Sequence, residues 1–461
     1  MYKLILLVLS LISSFVAIYY KSDDDFTFLF IIPLIYGLWT YWYSPKTENI
    51  GVGLFMLYCT LFFRYIVFPV VFVLSAYETY IYKSFPGGLM YKSMQLFVYE
   101  MLAILASVTY FDKKYKNKIK ISSQNKKSFI RIPKARGVII MILISLGFII
   151  SDSSFIDKYS FFLNVEEMLN EIIEIGGGNG VADSIIIWTK ILLTIFLFTF
   201  FYKRYLKRKS SFYFILSIVA FIIPSLFYAS SSRMSMLLPL IASLFILRNT
   251  YHKRKKIITI LILSFTSFSM LILTLYKNLS NSTISSAASF IDLDSSSNLL
   301  NMYFAGIPNI AAGISTNLKY SNNFGIDIFI NDMLGSLMGL ASSFPGQSSR
   351  MFFGEYIFGA NSGTYDQILP TVIQGYFYFG FILAPIFSVI MVWFFTYLDS
   401  IVKTTRRLDY AFLIASISAI VGFAVPGSLS HLTISSVNVL LPVLLIMYLN
   451  GSSRIKIDDQ T

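Results

Sequence analysis

Twelve apolar runs, each near the ~20 residues that cross the hydrocarbon core of a bilayer, follow one another along the chain. They cover roughly 4–20, 26–43, 51–77, 94–111, 137–151, 182–202, 211–229, 235–248, 257–276, 370–397, 410–424 and 432–449. With 56% hydrophobic and only 13% charged residues, the chain has more apolar surface than a water-soluble core can hide. The pattern predicts an all-α polytopic membrane protein with about 12 transmembrane helices. Only Lys3 precedes the first run and no small-x-small cleavage site follows it, so it reads as an uncleaved first helix.

The connectors orient these helices. With the N-terminus in the cytoplasm, 27 of the 37 lysines and arginines fall on inner connectors and termini and eight on outer ones, while Arg64 and Lys190 lie within runs. That is the bias the positive-inside rule describes, and it places both termini in the cytoplasm. The net charge of +13 is then explained by anionic lipid headgroups, without nucleic acid as a partner. The single cysteine, Cys59, sits inside a run and gives neither a disulfide nor a thiolate metal site.

One long stretch, 277–369, is neither strongly apolar nor basic and falls outside. It is too long for a helix connector, and its Phe, Tyr, Ile and Met content argues for folded structure. Within this large extracytoplasmic loop, Ile326, Phe329, Ile330, Met333, Leu334, Leu337 and Met338 recur at helical spacing. A smaller loop, 152–181, repeats the pattern with Val165, Met168, Leu169, Ile172 and Ile173 opposite Glu166, Glu167, Glu171 and Glu174. Gly176-Gly177-Gly178 ends that helix. Both are expected to be short helices lying along the bundle or the membrane surface.

Charges inside membrane spans are costly, so each needs a partner or a function. Glu100 and Lys190 lie at similar depth and could neutralise one another. Arg64 is deeper, and either pairs with Glu100 or binds an anion in a water-filled cavity. On the outer face, Arg233 in Ser231-Ser232-Arg233 and Arg350 in Ser348-Ser349-Arg350 share a hydroxyl-rich context. A guanidinium binds phosphate oxygens bidentately, though a lone arginine at a membrane edge also snorkels to headgroups. His431, on a short outer turn, suits proton transfer or hydrogen bonding to phosphate, and equally a satisfied surface histidine. No metal box, nucleophile elbow or phosphate-cradling loop is present, so no cofactor and no dedicated metal are expected.

Ser231-Ser232-Arg233 opens an apolar run, and Ser362-Gly363-Thr364-Tyr365-Asp366-Gln367-Ile368-Leu369-Pro370-Thr371 leads into Gln374-Gly375-Tyr376-Phe377-Tyr378-Phe379-Gly380-Phe381 after the long outer loop. In these motifs and in span number, the chain resembles the O-antigen and capsular polysaccharide repeat-unit polymerases, the Wzy-type membrane glycosyltransferases. Some members carry glycine after a fifteen-residue gap from an arginine. Asn249 and Asp366 stand there after Arg233 and Arg350.

The resemblance implies a bacterial plasma membrane enzyme that joins oligosaccharide repeat units carried on undecaprenyl pyrophosphate. A chain-length regulator and a flippase of the same pathway would be its partners. It implies Arg233 and Arg350 on the departing pyrophosphate, with Arg64 as a further binding residue. His431 or Asp366 would be the base, and Tyr365, Tyr376 and Tyr378 would stack on sugar rings, unless they form an interfacial aromatic belt. A ligase acting on the same donor, or an exporter of lipid-linked saccharides, fits the same span pattern. Only three clear intramembrane charges weigh against the exporter.

Overall fold

Two of the long apolar helices widen into a π-helical turn just before a proline. In the computed structural model, Val52–Leu74 passes through Phe63–Val67 ahead of Pro69, and Ser430–Asn450 passes through Ile434–Leu440 ahead of Pro442. Proline brings no N–H and presses on the carbonyl four residues back, so the preceding turn loosens. Inside a bilayer a loosened carbonyl needs a new donor. Trp188 Nε1 supplies one to Asn438 O, four residues before Pro442, at 2.6 Å, and Ser13 Oγ donates to Ile66 O within the other widened turn at 2.9 Å.

The structure describes all residues except 1, 21–23, 44–49, 78–84, 86–87, 124–128, 153–179, 227–232, 267–292, 336, 338–345, 360–367, 406 and 457–461. For some others, Arg233 and His252 among them, it describes the backbone alone. The helix expected at 164–175 and the candidates Tyr365 and Asp366 lie outside the described residues. Among those described, five helices are long and apolar enough to cross a membrane: Val52–Leu74, Leu89–Tyr115, Val181–Arg208, Ile386–Thr404 and Ser430–Asn450. Six shorter apolar helices accompany them, and all eleven fall on runs read from the sequence.

The chain forms two compact units. The first combines Met1–Tyr115, Ser285–Tyr397 and Val421–Thr433. Four of its short helices, Leu293–Phe304, Ile307–Tyr320, Ile326–Leu334 and Ser349–Phe358, come from the 277–369 segment. Ile307–Tyr320 is buried on every face from Ile307 to Thr316, with Gly313 pressed against the Ile373 side chain. On Ile326–Leu334 the polar Asn331 and Asp332 are buried as well, while Ile326 is 73% exposed. These two polar side chains turn inward because their partners there are polar.

The run 370–397 is not one continuous helix. Thr371–Leu383 breaks at Gly380, whose φ of 70° lies in the left-handed region open to glycine, and Ile386–Thr404 follows Pro385. Gly375 lies against the carbonyl of Ala384, so the chain doubles back within this short span. Tyr99 OH secures the reversal by donating to Ile382 O at 2.7 Å.

The second unit combines Lys116–Ile284, Leu398–Ile420 and Ile434–Thr461. Its helices Ala135–Ser151 and Gly180–Arg208 are joined by a hydrogen bond between the Ser145 and Thr189 hydroxyls at 2.7 Å. Phe221 packs between Phe198 and Phe412 at centroid distances of 4.5 and 5.0 Å. To its helices this unit adds one two-stranded antiparallel ribbon, Phe129–Pro133 paired with Ser452–Lys456. Five residues per strand among basic side chains leave too weak an alternation to read from sequence.

Candidate functional site

The helix Ser349–Phe358 begins on a carboxylate. Ser348 caps it by accepting from the Met351 N–H, and Asp332 Oδ1 accepts from the Ser349 N–H at 2.9 Å. An anion at a helix N-terminus satisfies backbone donors and complements the helix dipole. The other carboxylate oxygen, Oδ2, accepts from Ser349 Oγ, from Gln374 Nε2 at 3.1 Å and from Tyr378 OH at 2.7 Å. Asp332 is 7% exposed, and four donors from two helices, Ser349–Phe358 and Thr371–Leu383, converge on it.

Gln374 carries the network further. Its Oε1 accepts from the Leu429 N–H at 2.8 Å, fixing the turn that leads into His431. The same turn is tied to Thr371, whose hydroxyl donates to Gly427 O and whose N–H donates to Pro426 O at 3.4 Å. Asp332 and Gln374 thus set Ser349–Phe358 and Ser430–Thr433 relative to one another. Arg350 follows Ser349 directly and His431 lies two residues past Leu429; the Arg350 side chain is exposed, the His431 ring keeps an open edge while neighbouring atoms crowd it, and the guanidinium lies within electrostatic reach of the imidazole. An exposed cation and an imidazole with an open edge, held on a buried polar frame, can grip an anionic group and exchange a proton beside it.

Each remaining candidate has a distinct place. Tyr378 is committed to Asp332 through its hydroxyl, with its ring edge-on to Phe329 at 5.1 Å. Tyr376 OH accepts from Lys92 Nζ at 3.3 Å. Arg64 is fully buried in the π-helical turn, where Nη2 donates to Glu100 Oε2 at 2.6 Å and the guanidinium carbon lies 4.6 Å from the centre of the Phe97 ring. Ser388 Oγ donates to Glu100 Oε1 at 2.9 Å, so both carboxylate oxygens are engaged within this unit. Arg64 therefore takes the place that depth alone assigned to Lys190. Its Nε and Nη1 have no hydrogen-bond partner among the described residues. Arg233 begins the helix Arg233–Thr250 in the other unit.

Asp332 and Gln374 were missed as site residues. Asp332 is one of two acids on the short helix Ile326–Leu334, and the sequence alone does not distinguish it from Asp327; only its burial does. Among the described residues no group of three or more His, Cys, Asp or Glu could hold a metal ion. No family model, no curated protein and no solved structure matches the chain.

Proposed function

We propose that the chain is a lipid-linked oligosaccharide polymerase of the bacterial plasma membrane, with about twelve spans, both termini cytoplasmic and the 277–369 segment on the outer face. The observation that carries this reading is the shared frame of Arg350 and His431, two outer-face candidates 81 positions apart in sequence and anchored by Asp332 and Gln374.

The reaction is glycosyl transfer from a growing glycan on undecaprenyl pyrophosphate to a hydroxyl of a fresh lipid-linked repeat unit. The hydroxyl oxygen forms the new bond to the anomeric carbon, the bond to pyrophosphate breaks, and the hydroxyl proton leaves to a base. Arg350 stabilises the negative charge that grows on the leaving group, and His431 accepts the proton. Arg233 joins Arg350 on the pyrophosphate, and Asp366 is the second candidate base. Arg64, Tyr365, Tyr376 and Tyr378 remain candidate substrate contacts, although the Tyr378 hydroxyl already serves Asp332. A chain-length regulator and a flippase are the expected partners. The chemistry calls for no nucleotide sugar and no cofactor.

Purified protein in detergent, supplied only with lipid-linked repeat units, should lengthen their glycans. A flippase or exporter has no second compartment in detergent and leaves them unchanged, whereas a ligase moves the glycan only when its other acceptor is added. Failure to extend chains under these conditions, with the protein folded, overturns the polymerase reading.

A further inference from the structure

The second unit contains a cavity of about 160 Å³ where the helix Gly180–Arg208 ends. That is well above the ~10–15 Å³ one water molecule needs. Tyr202, Tyr205 and Tyr251 wall it, and Lys209, Lys253 and Arg254 line it. No acidic residue is among its lining, and none occurs anywhere between Asp183 and Asp292 in the sequence. Three cationic residues from two elements therefore line one hollow.

The hollow is built on fixed side chains. Tyr251 is 4% exposed, its hydroxyl is 2.7 Å from Ser217 Oγ, and the rings of Tyr202, Tyr205 and Phe214 stand edge-on to it at 5.4, 5.0 and 5.0 Å. Arg254 is steered by aromatic faces, with its guanidinium carbon 4.5 Å from the centre of the Phe214 ring. Lys209 occupies the position just past the helix, where its N–H closes the last turn onto Tyr205 O at 2.7 Å. Its φ is 50°, a conformation glycine adopts without cost and a lysine does not.

We propose that this cavity binds a phosphate group, with Arg254, Lys209 and Lys253 on its oxygens and the tyrosine wall against the carbon skeleton that bears it. A guanidinium and two ammonium groups match a tetrahedral oxyanion, and aromatic walls favour an organic phosphate over a bare ion. The phosphate comes from an anionic lipid headgroup or from a soluble phosphorylated compound. The site is separate from Arg350 and His431 and does not rest on the polymerase reading.

Full-length protein in nanodiscs separates the two sources. In the first arm, discs of phosphatidylcholine with phosphatidylglycerol are examined by native mass spectrometry for retained anionic lipid. In the second, discs of phosphatidylcholine alone are titrated with inorganic phosphate and glycerol phosphate by phosphorus NMR. Arg254→Gln and Lys209→Gln each weaken the responding arm by about tenfold or more, as loss of a charge-assisted hydrogen bond requires. Lys256→Gln removes the same charge from the same connector outside the cavity and leaves binding unchanged. Lys209 is exposed, so its substitution tests the site without unsettling the fold. Retention in the first arm assigns the site to lipid, and binding in the second assigns it to a soluble phosphate. No binding in either arm, or equal loss in Lys256→Gln, overturns the proposal.

Discussion

Arg64 and Glu100 bury one another: neither side chain has any solvent exposure, and Nη2 stands 2.6 Å from Oε2. Removing one member leaves an uncompensated charge in a low-dielectric interior, which costs about 3–5 kcal/mol. Arg64→Met and Glu100→Leu alone should each lower stability by about that amount. The double variant should recover most of the loss. Unfolding in mixed detergent micelles measures all three, and a double variant as unstable as the sum of the singles would contradict the coupling. Chain extension by the double variant asks a second question, since a role for Arg64 in substrate binding predicts lost activity in a stable protein.

Asp332 invites a different comparison. Asp332→Asn keeps the shape but turns an amide donor toward groups that are themselves donors, and hydrogen bonds to a charged group contribute about 1.5–3 kcal/mol each. The expected result is faster amide hydrogen exchange in both Ser349–Phe358 and 429–433, because Gln374 transmits the change to the Leu429 N–H. If protection falls in the first segment alone, Gln374 does not couple the two.

Spacing and composition were enough to locate the helices. The run 51–77 became Val52–Leu74, and 94–111 lies inside Leu89–Tyr115. Apolar runs map onto helices because every backbone group in a bilayer must be satisfied internally. Tertiary pairing was less legible. Depth along the runs left Arg64 two readings, a pairing with Glu100 or an anion in a cavity. A π-helical turn and the reach of an arginine brought Arg64 to Glu100. The reversal within 370–397 was hidden because its residues are apolar on both sides of Gly380. Arg350 stood out as a hydroxyl-flanked cation on the long outer segment and His431 as a histidine on a short turn, whereas Asp332 and Gln374 are recognisable only through what they hold.

That reversal gives a prediction of its own. A Cβ at Gly375 would meet the Ala384 carbonyl, backbone that cannot swing aside, so Gly375→Ala should cost about 1–3 kcal/mol by overpacking. Gly380→Ala meets no neighbouring atom but forces a side chain into a backbone region essentially reserved for glycine, φ 70° with ψ −170°, at about 1–3 kcal/mol. Thermal unfolding of the purified variants should show both losses. Labelling of a cysteine placed at Ile382 should change more in Gly375→Ala, where the returning strand is pushed away. Equal labelling in both variants would show that Gly375 does not hold the reversal.

Arg350 is exposed and the His431 ring keeps an open edge, so their substitution should leave stability within about 0.5 kcal/mol of the parent. Activity should behave otherwise. Loss of a preorganised donor to developing charge lowers a rate by about 10²–10³, and loss of a general base by about 10²–10⁴. Arg350→Gln and His431→Gln are therefore expected to shorten polymer sharply in cells and to slow extension in detergent by those factors. Arg350→Lys keeps the charge and loses the planar fork, and should fall between parent and Arg350→Gln. Because the two groups act on one bond, with one on the leaving oxygen and one on the attacking hydroxyl, the double variant should be less impaired than the product of the single losses. Long polymer from a folded Arg350→Gln variant would remove the arginine from the reaction, and a full multiplicative loss in the double would separate the histidine from it.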